Sequence, residues 1–256
     1  MKIALVTGGC HRLGAAIAAR LGEGGWTLAL HAREDATPDP ALRARLAAAG
    51  AGWHGFAADL ADEEEIEALV RRVAAHFGTP PSLLVNNASL FGQDDPASLT
   101  LGTLIDHFTI NTAAPVLLAR AVAALAEVGP GPRAAIVNIL DQRIRHPGGD
   151  QASYTLSKLA LAGATEMLAR ALAPVARVCA VAPGLTLPSD DYLPAQMARL
   201  EQAMPLRLLP DPEDIAEAVA FLAAAEAVTG QVVFVDGGAH LTAFERDFVY
   251  LGRDLG

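Results

Sequence analysis

Cysteine is scarce in this chain: among 256 residues only Cys10 and Cys179 occur, far apart and without Cys-x-x-Cys spacing. Neither a disulfide framework nor a zinc cluster is expected from them, and the pattern suits a reducing compartment. His11, His31, His146 and His240 lack ligand spacing, so no metal is expected. Positive charge is also short, with 19 Lys and Arg against 29 Asp and Glu and a formal net charge of −10. That balance offers no footprint for nucleic acid or an anionic membrane surface. No apolar stretch reaches membrane-span length without a charge or a breaker. Residues 1–6 run into a strand pattern with no basic leader, so a cytoplasmic location is expected. Internal repeats and low-complexity linkers are absent, and the length suits one domain over residues 1–256.

What is present is an alternation. Short apolar runs at residues 3–6, 27–30, 83–85, 134–139, 177–181 and 231–235 alternate with alanine-rich segments of helical period at 15–21, 63–77, 112–128, 152–173 and 213–224. Strands apolar on both faces belong to parallel sheets covered by helices, so the expected fold is α/β, a doubly wound, Rossmann-type parallel sheet. Two segments break the rhythm, 89–99 and 185–210, the second carrying Pro188, Pro194, Pro205 and Pro210. Each follows a predicted strand, where such a sheet opens its crevice, and both are expected to line a substrate.

The first turn, Thr7-Gly8-Gly9-Cys10-His11-Arg12-Leu13-Gly14, follows a strand and opens a helix. Glycines there permit close backbone approach, and a helix N-terminus attracts phosphate; a plain tight turn is the competing reading. After the second strand, Leu30-His31-Ala32-Arg33 offers a cation rather than an acid, which suits the 2′-phosphate of NADP and favours NADPH over NADH. Glu34 and Asp35 keep NAD open as the lesser alternative. Asp59, in Ala57-Ala58-Asp59-Leu60, is placed for an adenine edge, and Asn86-Asn87-Ala88 ends the fourth strand.

In the helix expected from about Gln151, Tyr154 and Lys158 stand one turn apart on one face, so the ammonium can hold the phenol in a low-pKa state. Asp141 lies thirteen residues before the tyrosine. A carboxyl beside that pair makes an unusual acid-base group, because it has to be neutral or bridged by Lys158 to work near neutral pH.

Thr7-Gly8 to Gly14, Asp59-Leu60, Asn86-Asn87-Ala88, Asn111, Tyr154 with Lys158, Pro183-Gly184 and Asp236-Gly237-Gly238 together resemble the short-chain dehydrogenase/reductase family over essentially the whole chain. The resemblance implies a seven-stranded Rossmann-type domain, an NAD(P) cofactor, hydride transfer and often a homotetramer. It implies Tyr154 as the acid-base residue, Lys158 on the nicotinamide ribose, and Asn111 in a water-linked proton path. For the cofactor it implies Gly8, Arg12, Leu13, Gly14, His31, Arg33, Asp59, Leu60, Asn87, Ala88, Ser89, Pro183, Gly184 and Thr186, besides Tyr154 and Lys158.

Two departures are informative. Arg12 stands where the family commonly has glycine, and Asp141 where it has a serine. Arg12, Asn86-Asn87-Ala88-Ser89, Phe91, Ile139-Leu140-Asp141 and Pro183-Gly184-Leu185 are similar to the pteridine reductases, including the bacterial kind that reduces dihydromonapterin or dihydrofolate. That branch implies a small-molecule pterin or folate substrate held by Arg12, Ser89, Phe91, Asp141, Tyr154 and Leu185. An ionised carboxylate opposes an alkoxide forming on a ketone, whereas reduction of a C=N bond needs a proton on the adjacent nitrogen. Phe91 suits stacking on a flat ring. A generic carbonyl or alcohol oxidoreductase and a non-catalytic NADP-binding regulator remain alternatives. The C-terminal residues 244–256 are expected to help set side-chain specificity and to fold over a neighbouring subunit's site.

Overall fold

The computed structural model describes residues 1–126, 134–187 and 192–252. Glu127 and Val128 of the helix predicted at 112–128, Pro188 of the second loop and residues 253–256 lie outside them. Seven strands form one parallel sheet: β1 (Ile3–Thr7), β2 (Thr27–Ala32), β3 (Trp53–Ala57), β4 (Leu83–Asn86), β5 (Ala134–Ile139), β6 (Ala176–Pro183) and β7 (Val232–Val235), in the order β3-β2-β1-β4-β5-β6-β7. The order reverses between β1 and β4, which opens a crevice at the carboxyl ends of the strands.

The helices are α1 (Arg12–Glu23), α2 (Pro40–Ala48), α3 (Glu63–Phe77), α4 (Leu101–Phe108), α5 (Ala114–Leu125), α6 (Ala152–Ala171), α7 (Pro194–Ala203) and α8 (Pro212–Ala224). Alternation along β1 divides the core into two layers. Ala4 and Val6 pack with Ile17 and Leu21 of α1 and Val219 of α8, while Ile3 and Leu5 pack with Leu69 of α3 and Leu118 of α5. Each fully buried aliphatic side chain of this kind contributes about 1.5–3 kcal/mol. Local chemistry sets several boundaries. Asp62 caps α3 by accepting from Glu64 N and Glu65 N, and Gly78 ends it at φ 70. Asp211 and Asp214 form a capping box ahead of α8, with Pro212 in its first turn.

Four elements depart from the sequence expectation, among them α2, which matches none of the segments of helical period. The helix predicted from Thr112 is preceded by α4, from Leu101: Thr100 and Thr103 cap α4, and one wide π turn at Thr109–Ala113 joins it to α5. The segment expected as a loop at 185–210 contains α7, whose Pro194 sits in the first turn and Pro205 just beyond the end. The prolines that read as loop punctuation are helix boundaries here. The edge strand β3 leaves Trp53, His54 and Ala57 exposed, so it carries no apolar run.

Leu101–Leu125 is by length and composition apolar enough to cross a membrane, with mean hydropathy 1.5. It nonetheless carries Asp106 and Arg120, and its Ala114, Leu118, Ala119 and Val122 are buried in the domain core. The described part of the C-terminal segment folds onto its own chain. Fully buried Gln196 of α7 donates from Nε2 to the carbonyls of Phe248, Val249 and Leu251 at 3.1, 3.1 and 2.8 Å, and Phe248 packs on Leu200 and Met204.

Leu84, at the centre of β4, has no exposed surface. Leu84→Ala is expected to cost about 2–5 kcal/mol, read as a lower urea midpoint with an unchanged slope. A loss under about 1 kcal/mol would mean that the core collapses around the deletion.

Candidate active site

The carboxyl ends of β1 and β4 build a cradle. The Thr7 hydroxyl donates to Val85 O and accepts from Asn87 N and Ala88 N at 2.9 and 3.0 Å, and Asn87 Nδ2 donates to Thr7 O and Gly8 O. Gly8 takes φ 60 and Arg12 takes φ 52, a conformation in which a non-glycine residue is strained. A side chain at Gly14 would bring its Cβ to 1.9 Å from Gly8 O, so only glycine permits this approach. No side chain caps the first turn of α1, and its N–H groups face the opening. This donor set, with the space kept by Gly14, fits a pyrophosphate.

His31 plays a different part from the expected one. It is 2 % exposed; Nε2 lies 3.0 Å from Ala58 O and therefore carries the proton, leaving Nδ1 to accept from Gly8 N at 3.3 Å. Burial pushes its pKa down, which keeps it neutral. His31 thus ties the ends of β1, β2 and β3 together beneath the turn, with both ring nitrogens used within the chain. Arg33 is exposed just beyond β2 and pairs with Glu34 at 3.2 Å. Asp59 is half-buried with Oδ1 accepting from Ala61 N, and Leu60 and Leu13 pack into the core.

On the other side of the crevice, Gly184 lies so close to Asp236 that a Cβ would come within 2.8 Å of its Cα. Thr186 donates to Gly184 O, beside Pro183 at the end of β6. Leu185 packs on the apolar cluster of Leu200, Met204, Ala239 and Phe248, so it supports α7.

At the centre, the Tyr154 hydroxyl donates to Asp141 Oδ2 at 3.1 Å, Lys158 Nζ donates to Ile139 O at 2.8 Å, and both Tyr154 and Lys158 are buried. The phenol is pushed well up by burial first and then by the charge of Asp141, which together outweigh the lowering by Arg143. The expected low-pKa tyrosine is therefore not found. Burial instead lowers Lys158 to about 8. Lys158 lies 5.5 Å from the centroid of the Tyr154 ring, and its hydrogen bond goes to the backbone of β5.

Asn111 sits in the π turn, a helix irregularity common at functional sites. Its Oδ1 accepts from Leu90 N at 2.7 Å and Ser89 Oγ at 3.2 Å, while Nδ2 donates to Leu90 O and Ser157 Oγ. The whole side-chain amide is thereby used to hold the 89–99 loop against α6. That loop is fixed again at Asp94, which accepts from the Ser153 N–H and hydroxyl and whose carbonyl accepts from Gln151 N at 2.8 Å. So held, Phe91 sets its ring 4.9 Å from Tyr154, edge to face at 72°, and remains half exposed. Ser89 and Arg12 are exposed at the mouth.

Arg143 and Asp247 went unnoticed in the sequence. Arg143 lies 3.1 Å from Asp141 Oδ1 and 2.8 Å from Asp247 Oδ2, with its guanidinium 5.0 Å from the Tyr154 ring centroid. Its two-residue separation from Asp141 was the one available signal. Asp247, in the C-terminal segment, had none.

A family model described as Enoyl-(Acyl carrier protein) reductase matches residues 10–240. An uncharacterised oxidoreductase of Mycobacterium tuberculosis is 36% identical over 247 residues, covering 93% of this chain and 91% of its own. The 3-oxoacyl-[acyl-carrier-protein] reductase FabG of Staphylococcus aureus is 30% identical over 258 residues, covering 94% and 98%. Among solved structures, FolM Alternative dihydrofolate reductase 1 from Brucella canis, complexed with NADP, superposes with a TM-score of 0.84 at 35% identity, covering 94% of this chain and 95% of that one. A glycine cradle at the β1–β4 switch, Tyr154 and Lys158 one turn apart, and similarity across nearly the whole length agree on one assignment: the chain is an oxidoreductase of the short-chain dehydrogenase/reductase family.

Proposed function

We propose that this protein is an NADPH-dependent pteridine reductase, acting on a dihydropterin such as dihydrobiopterin or dihydromonapterin, or on dihydrofolate. One observation carries the reading: at the reaction centre the Tyr154 hydroxyl donates to a carboxylate, Asp141, at 3.1 Å. A ketone reductase needs a neutral donor there, because a carboxylate repels the forming alkoxide. NADPH is supported by Arg33 beyond β2 and by the NADP carried by the Brucella relatives. When bound, the cofactor supplies a hydride to a carbon of the substrate's C=N bond.

The chain's own residues do the rest. The uncapped N–H groups in the first turn of α1 would hold the pyrophosphate, and Lys158, which keeps Ile139 O on one of its three N–H groups, would offer another to the ribose. Phe91, already beside Tyr154, covers one face of a flat ring, a contact worth about 0.5–1.5 kcal/mol beyond burial. Arg12 and Ser89, exposed at the mouth, meet the pterin's polar edge. The raised phenol pKa keeps the reacting proton on Tyr154, and rotation about its C–O bond turns the hydroxyl from Asp141 to the ring nitrogen. Copies of the chain are proposed to associate, as a homotetramer, through the exposed Leu101, Ile105, Phe108 and Leu156 around an apolar groove of about 300 Å³ on α4 and α6. A cytoplasmic location stays part of the proposal.

A 3-oxoacyl or other carbonyl reductase is the second reading, favoured by the FabG relatives. NADPH oxidation with dihydrobiopterin, dihydromonapterin, dihydrofolate and a ketone panel separates the two. Wild type is expected to turn over a pterin, with Tyr154→Phe losing about 10²–10⁴-fold and Asp141→Ser gaining activity on ketones. Turnover of ketones alone by the wild type would sink the pterin reading. In the pH profile, kcat/KM should hold at neutral pH and fall above about 8 as Lys158 loses its proton. Arg33→Glu should cut the preference for NADPH over NADH by about tenfold or more, measured as the ratio of kcat/KM for the two cofactors.

A further inference from the structure

The buried side of the reaction centre is closed by a cluster that the proton chemistry above does not use. The Arg143 side chain is 13% exposed, and each of its three nitrogens faces an oxygen: Nε faces Asp141 Oδ1 at 3.1 Å, one terminal nitrogen faces Gln151 Oε1 at 2.6 Å, and the other faces Asp247 Oδ2 at 2.8 Å. The Nε contact is off the line of a hydrogen bond, so charge carries it, while the Arg143 backbone N–H donates to the same Oδ1 at 2.9 Å. With Oδ1 occupied twice, Oδ2 is the oxygen left for Tyr154. The guanidinium also lies over the Tyr154 ring, restricting its tilt.

Asp247 reaches this place from the far end of the chain and is itself held. Its backbone N–H donates to Asp150 Oδ2, its Oδ1 accepts from Val249 N, and Arg246 pairs with Asp150. Gln196 ties the carbonyls of Phe248, Val249 and Leu251 to α7. A buried guanidinium is costly unless fully paired, and a single carboxylate already engaged by Tyr154 pairs it only in part. Asp247 supplies the second charge.

We propose that Arg143 and Asp247 are positioning residues for the proton donor: Asp247 fixes the guanidinium, the guanidinium fixes the Asp141 carboxylate, and that carboxylate aims the Tyr154 hydroxyl. The C-terminal segment is thereby a working part of the reaction centre. Because this deepens the pteridine-reductase reading, the test needs one readout that requires no substrate.

A double-mutant cycle of Arg143→Met and Asp247→Asn, with Arg143→Lys as the conservative variant, provides it. With NADPH and dihydrobiopterin, Arg143→Met should lower kcat about 100-fold with the NADPH Kd unchanged, since a small misplacement of a reacting group has effects of that size. Asp247→Asn should lower kcat about tenfold and add nothing in the Arg143→Met background, and Arg143→Lys should recover part of the loss. The chain has three tyrosines, so the ¹³Cζ signal of Tyr154 in labelled protein is assigned by its loss in Tyr154→Phe. Asp247→Asn should move that signal when Arg143 is present and leave it in place when residue 143 is methionine. Additive effects in the cycle, or an unmoved Tyr154 signal in Asp247→Asn protein that melts like the wild type, would overturn the proposal. Absence of wild-type turnover with pterins would refute the substrate reading alone, because the carbon signal still reports on Arg143.

Discussion

A phenol, two carboxylates and a guanidinium share one water-poor space at the end of β5, and the protein's chemistry depends on how their charges divide it. Asp141 and burial both raise the Tyr154 pKa, and Arg143 opposes them. The balance leaves the proton on the tyrosine, the state a reductase needs in its acid. The same low-dielectric setting lowers Lys158 to about 8. Tyr154 and Lys158 are therefore an acid and a nearby donor whose properties come from desolvation first and then from Asp141 and Arg143.

The sheet makes this possible by bringing distant segments to one edge. Parallel strands aligned in register place Thr7, Asn86, Asn138 and Ala180 at a common level, and every loop that bears chemistry leaves from there or just beyond. Close backbone approach at Gly14 and Gly184 then draws the cradle and the far wall inward. Side-chain amides finish the arrangement: Asn87 holds the glycine turn, Asn111 the Phe91 loop, and Gln196 the C-terminal segment. Each satisfies backbone groups that irregular chain would otherwise leave unpaired.

Several residues that read as ligand contacts turn out to hold the contacts in place. His31 and Leu185 face inward, one under the turn and one under α7. Asn111 uses its whole amide on the loop. Such residues are as closely tied to a binding site as the groups that touch the ligand, because a site is accurate only if its loops are fixed.

The sequence by itself determined the sheet, most helices, the glycine cradle and the Asp141–Tyr154–Lys158 centre, because strand and helix periods, a steric need for glycine and an i, i+4 spacing are local properties. It showed only the end of β3, which has one wet face, and did not reveal α2 or α7, whose bounding prolines look the same as those of a loop. Nor did it reveal the direction of the tyrosine pKa shift, since burial is not a local property. Only the tertiary structure decided that Asp247 meets Arg143 across 104 residues, and that Arg143 in turn meets Asp141. Nothing in the spacing of Asp247 and Arg143 encodes their encounter. The packing of the C-terminal segment on α7 brings their charges together, and that packing exists only once the chain has folded.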